Sequence, residues 1–139
     1  MDISMATVIL LACGSLQRDS KQKAIDLYKG APFCSNRNKI FSKYGEAIES
    51  GTAHLYIIST KHHLLMFDEE IYPYNFPVPS GDALGSWVDK IVDELENSQI
   101  PNIRPSYNLY SDNFIIYSSY PIFEAFKKNG RIQNLTKGI

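Results

Sequence analysis

The sequence predicts an α/β fold: a short, mainly parallel sheet flanked by helices in three layers. Three observations carry this. Thr7 to Cys13 is a continuous aliphatic and β-branched run, the pattern of a strand buried on both faces, and Ala53 to Thr60 is a second buried strand. Between them Ile40, Phe41, Tyr44, Ala47 and Ile48 recur at helical spacing, so a crossover helix joins two parallel neighbours. A second amphipathic stretch, a third apolar run and a last helix then repeat the alternation.

Taken in order, Gly14 and Ser15 stop the first strand, and the polar stretch through Lys23 is expected as an exposed loop. Ala24 to Lys29 predicts a short helix ended by Gly30. The crossover helix is expected over Phe33 to Ser50, capped by Ser35 or Asn36 and ended by Gly51. Lys61 to Pro79 is expected to be irregular. Tyr72-Pro73-Tyr74 and Phe76-Pro77-Val78-Pro79 contain prolines that lack an N–H and restrict the residue before them. A loop of this length in a compact domain is usually functional or a lid. Leu84, Trp87, Val88, Ile91, Val92 and Leu95 give the clearest amphipathic helix, capped by Ser80 or Asp82. After a Pro101–Pro105 linker, Asn113 to Ser118 is the third strand. Pro121 suits the first turn of a last helix through Lys128, and Gly130 its end.

Composition excludes several classes. A chain of 139 residues with 44% hydrophobic and 12% aromatic residues is neither disordered nor low-complexity, and it fits one domain over 1–139. Two cysteines, Cys13 and Cys34, are too few for a disulfide framework, and no zinc spacing is present. His62 and His63 have no evident third ligand, so neither metal nor cofactor is expected. The longest apolar run, Ala6 to Cys13, is far short of the ~20 residues of a membrane span. The MDISM start lacks a basic n-region. The expectation is a cytoplasmic protein with no membrane partner, in which self-association is allowed.

A net charge of −1 conceals blocks of +5 over residues 18–43, −8 over 46–96 and +3 over 97–139. If the two basic blocks share a face, that face attracts phosphate. A pI near 6.3 does not favour constitutive duplex binding.

In open parallel sheets, ligands sit at the carboxyl ends of the strands. Here those ends are Cys13-Gly14-Ser15, Ser59-Thr60-Lys61-His62-His63 and Ser118-Ser119-Tyr120. Lys61 supplies a cation and His62 a proton-transfer group, and Cys13 is a nucleophile only if a neighbouring cation lowers its pKa. Gly14 lets backbone N–H groups approach an anion, with Ser15 and Ser59 beside it. Arg37 and Lys39, read as lying in the first turn of the crossover helix, oppose its dipole, which a bound anion there would explain. Tyr72 and Tyr74 can stack a base.

Four segments then occur in order: Ala12-Cys13-Gly14; Leu27-Tyr28-Lys29-Gly30 with Phe33; Ile58-Ser59-Thr60-Lys61-His62-His63-Leu64-Leu65; and Ile71-Tyr72-Pro73-Tyr74. Together they resemble a family of small bacterial and phage domains with SCGK, LYxGxxF, SAKHGLL and IxPYD motifs. That family is similar in turn to the peroxide-stress protein YaaA family. Ser15, His63 and Asn75 stand where its lysine, glycine and acid would be. The resemblance implies a YaaA-like fold and a ligand that is a nucleotide, nucleoside or nucleic-acid base. Catalysis, if present, would be glycosidic or phosphoester chemistry, with His62 as acid or base and Cys13 as a more distant choice. The ligand-binding set is Gly14, Ser15, Arg37, Ser59, Lys61, Tyr72 and Tyr74. The alternatives are a non-catalytic module that sequesters or senses a nucleotide-like signal, and a DNA- or RNA-binding stress-response protein.

Overall fold

The structure is a computed structural model that describes residues 5–139. The reading of the MDISM start therefore falls outside the described residues, apart from Met5. The elements are β1 (Thr7–Ala12), β2 (Gln22–Lys23), α1 (Ala24–Leu27), α2 (Ala31–Ser50), β3 (Ala53–Ser59), β4 (His63–Met66), β5 (Glu70–Ile71), α3 (Asp82–Glu96), β6 (Asn113–Tyr117), α4 (Tyr120–Asn129) and β7 (Leu135–Lys137). Five strands form one sheet in the order β4-β3-β1-β6-β7. Its pairs are parallel, β1 with β3 and β6 and β6 with β7, except for the antiparallel β3–β4 hairpin. A separate antiparallel ribbon joins β2 and β5.

Alternation along the strands distributes the core. Val8, Leu10, Tyr56, Ile58, Phe114 and Ile116 cluster with the apolar stripes of α3 and α4. Ile9, Leu11, Leu55, Ile57 and Tyr117 cluster instead with α1 and α2 through Leu27, Tyr28, Phe33 and Ile40. With apolar residues on both faces, β1 has to be an aliphatic run, and Val8 to Leu11 are fully buried. At the far edge, a Cβ on Gly138 would lie 2.5 Å from the Tyr117 ring, so only glycine lets the chain leave β7 this closely.

Several expectations are corrected. The α2 helix starts at Ala31 rather than Phe33, with Pro32 in its first turn, where a missing N–H costs nothing. Gly30 is its N-cap and gives no side-chain bond, so neither Ser35 nor Asn36 caps it. Gly81 likewise precedes α3 without a side-chain cap, in place of Ser80 or Asp82. The α1 helix stops at Leu27, because Tyr28 turns extended and bridges to Gln17. The polar stretch before Lys23 is therefore partly paired rather than a free loop. The segment expected to be irregular from Lys61 contains β4 and β5, and β7 has no counterpart in the sequence reading. The glycine stops at Gly51 and Gly130 are as expected, both left-handed with φ of 83° and 75°.

The two basic blocks do not form one face. The α2 helix packs on one side of the sheet and α4 on the other. In the later block Arg104 is buried, Lys127 pairs with Glu124, and Arg131 pairs with Asp93 and Glu96. Among the described residues, no helix is long and apolar enough to cross a membrane.

Candidate functional site

The carboxyl ends of β1 and β3 lie side by side, and Cys13 N–H donates to Ile58 O at 3.1 Å. Ser59, the last residue of β3, organises the turn beyond it. Its Oγ accepts the backbone N–H groups of Lys61 (3.2 Å) and His62 (3.0 Å), which folds the β3–β4 turn tightly over the strand end. With those lone pairs engaged, Ser59 donates its own O–H to the Tyr74 oxygen, 2.8 Å away. The Tyr74 hydroxyl also bonds that of Tyr28 at 2.5 Å. The indole of Trp87 donates to Ser59 O at 3.0 Å and ties the same residue to α3.

Around this knot stand the reactive groups. The His62 ring meets Tyr74 edge-on, with centroids 5.4 Å apart. Burial, with help from the Lys61 ammonium, pushes the His62 imidazole below its ordinary range, so it is neutral at pH 7 and can accept a proton. Burial pushes the Cys13 thiol up, against the opposing pull of the Thr60 backbone N–H and the Tyr74 hydroxyl. Cys13 is therefore a protonated thiol at neutral pH in this arrangement, not an activated nucleophile. The Tyr28 and Tyr74 phenols are both raised, chiefly by burial, so they act as hydrogen-bonding groups rather than anions.

The structure brings together Cys13, Gly14, Ser59, Lys61, His62 and Tyr74. Gly14 packs between Phe33 and Tyr28, and a Cβ there would meet them at ordinary contact distances of 3.5 and 3.9 Å. Ser15 is exposed at the end of the same turn. Arg37 and Tyr72 are engaged elsewhere. Arg37 lies beyond the first turn of α2, beside Asp26 at 3.9 Å, and donates to Ile25 O at 3.5 Å. No anion is needed to account for its position, and the dipole reading of Arg37 and Lys39 is corrected accordingly. Tyr72 is exposed, with the Lys21 ammonium 5.2 Å from its ring centre.

Sequence reasoning gave no site role to Tyr28, Gln17 or Thr60. It named Thr60 only as part of a strand end and Tyr28 only within a motif, and Gln17 reads as loop. Yet Gln17 Oε1 accepts the Tyr74 N–H at 2.9 Å, and Thr60 Oγ1 donates to Phe76 O at 2.7 Å.

The topology adds a second pointer. The chain leaves β1 through α2 on one face and leaves β6 through α4 on the other, so the connections diverge between these neighbouring strands. In open parallel sheets ligands favour the carboxyl ends at such a switch, which here are Cys13-Gly14-Ser15 and Ser118-Ser119-Tyr120. A separate cleft of about 930 Å³ runs between α3 and α4, lined by Asp82, Gly85, Asp89, Glu124 and Lys128 among others, and it shares no residue with the strand-end cluster. The strand ends are the better candidate because thiol, imidazole and hydroxyls meet there. Among the described residues, no group of three or more His, Cys, Asp or Glu could hold a metal ion.

The model of DUF6884, a family of unknown function, matches residues 8–121, which include every member of the strand-end cluster. No curated protein and no solved structure matches the chain.

Proposed function

We propose that this chain, which belongs to the DUF6884 family of unknown function, binds a nucleotide, nucleoside or nucleic-acid base at the carboxyl ends of its parallel strands. One observation carries the reading. A single hydrogen-bonded cluster gathers Ser59, Tyr74 and Tyr28 against Cys13, and the turn it folds holds Lys61 and His62 at the carboxyl end of β3. Gly14 and Ser15 would line a phosphate or sugar, exposed Lys61 would supply the cation, and Tyr74 the aromatic surface. Neutral His62 is the proton-transfer group if a glycosidic or phosphoester bond is cleaved. We further read the sheet, with a core cluster on each face, as a three-layer, YaaA-like arrangement within one cytoplasmic domain.

The test is a thermal shift of the wild type and of Lys61→Ala against a panel of nucleotides, nucleosides and free bases. A ligand at about 100 times its Kd adds roughly 2.7 kcal/mol of stability, several degrees for a domain of this size. A selective shift that disappears in Lys61→Ala is the expected result. No shift with any member of the panel would remove this reading.

A further inference from the structure

The Tyr72–Ser80 segment crosses the carboxyl end of β3 from the α1/α2 side, where Tyr74 meets Tyr28, to the α3 side, where it enters Gly81. Its hydrogen bonds are few and of one kind, and its ring contacts are confined to Tyr72 and Tyr74, the latter packed against the core. Tyr74 N–H reaches the Gln17 side chain, the Tyr74 hydroxyl reaches Ser59 and Tyr28, and Phe76 O accepts from the Thr60 hydroxyl. No backbone–backbone hydrogen bond ties residues 72–80 to the rest of the described chain. Nor does apolar packing hold the outer part, since Phe76 and Val78 are each 55% exposed. At both ends the segment meets firm structure. Ile71 is buried and paired with Gln22, and Gly81 adopts φ 58° and ψ −134°, a backbone state open essentially to glycine. Pro73, Pro77 and Pro79 stiffen the span between them, so it moves as a unit.

We propose that Tyr72–Ser80 is a strap that gates the strand-end site, latched by Tyr74 over Cys13, Ser59 and His62 and swung about Gly81. Opening breaks side-chain hydrogen bonds and withdraws the Tyr74 ring from Tyr28 and His62, but costs no sheet pairing. It uncovers the thiol, the serine and the imidazole together. As regulation of the nucleotide site, the gate rests on the function proposed above; its mechanics do not.

The test therefore uses no ligand. Alkylation of Cys13 and Cys34 by iodoacetamide is followed separately by peptide mass spectrometry across pH, in the wild type, Tyr74→Phe and Gln17→Ala. The high-pH plateau reports access, and the midpoint reports the thiol pKa. Loss of the Tyr74 hydroxyl bonds should raise the Cys13 plateau about tenfold, and loss of the Gln17 bond should raise it less. The Cys34 plateau should stay unchanged in both. Gln17→Ala leaves the hydroxyl cluster whole, so it decides the matter if Tyr74→Phe folds poorly. The gate is overturned if Cys13 already reacts in the wild type at the rate of the unfolded chain, or if the variants move only the midpoint. A nucleotide panel that fails while the plateau rises removes the ligand reading and leaves the strap intact.

Discussion

Strand β3 carries a tyrosine-centred hydrogen-bond cluster at each end, and the two are built differently. At the carboxyl end Ser59 and Tyr28 hold Tyr74, and with it the segment proposed above as a strap, through hydroxyl bonds. At the amino end Tyr107 stands between Tyr56 and His54, 2.5 Å from each. His54 Nε2 can only donate to Gly51 O, at 3.2 Å, so in the neutral ring Nδ1 accepts from Tyr107, which accepts in turn from Tyr56. Here the linker is also anchored by its backbone, because Tyr107 N–H donates to Leu95 O at 2.8 Å. The same linker reaches farther along the sheet: opposite Ile58, the buried Arg104 donates to Leu64 O at 3.1 Å and lies 3.9 Å from Glu94, which accepts the Leu64 N–H. Those two side chains thus satisfy the outer edge of β4, which would otherwise offer unpaired backbone groups to another strand. The difference is one of consequence. Releasing the Tyr107 linker, which also carries Arg104, frees the β4 edge and a buried charge, whereas releasing the carboxyl-end cluster is what the gate proposed above requires.

The sharpest way to break that contrast is Arg104→Ala. It leaves Glu94 and Leu64 O without their partner in a largely buried place, and should cost about 3 kcal/mol in urea unfolding. A loss comparable to that of an exposed lysine would mean that the Arg104–Tyr107 linker is no more a structural lock than the strap is. Tyr107→Phe comes next. It strips the shared hydroxyl from Tyr56 and His54 and should cost about 2 kcal/mol. The Tyr74→Phe variant, although it too loses two hydroxyl bonds, should show its main effect in Cys13 reactivity rather than in the unfolding midpoint.

Much of this was legible in the sequence, and unevenly so. The long strands β1, β3 and β6 announce themselves because burial on both faces demands runs dominated by aliphatic and aromatic residues. The short strands β4, β5 and β7 have two to four residues, too few for any period to show. Strand-end residues such as Cys13, Ser59 and His62 follow from topology alone. Partners set by long-range contact do not: Tyr28 meets Tyr74 across 46 positions, and Arg104 reaches Leu64 across 40. Arg104 lies in a stretch between two prolines that reads as a plain linker.

The smallest expected effect concerns the turn that joins strap and site. His63 holds φ at 63°, the left-handed state that costs a β-carbon roughly 1 kcal/mol, and it stands where the resembling motif has glycine. His63→Gly relieves that strain but frees the unfolded chain, so the net gain should be at most about 1 kcal/mol. The same variant has a pH signature. Burial, and then the Lys90 ammonium, lower the His63 imidazole below its usual 6.5. The unfolded chain therefore takes up a proton that the native state refuses. Stability is fully present above pH 6.5 and falls as pH drops through the interval down to the native value. Removing the imidazole removes that loss, so the advantage of His63→Gly over the wild type should widen between pH 7 and pH 5. His62 is lowered in part by His63 itself, so in the variant its own loss shrinks and widens the difference in the same direction. An advantage that stays constant with pH would assign the whole effect to the backbone, and one that vanishes at pH 7 would show that the turn carries no strain.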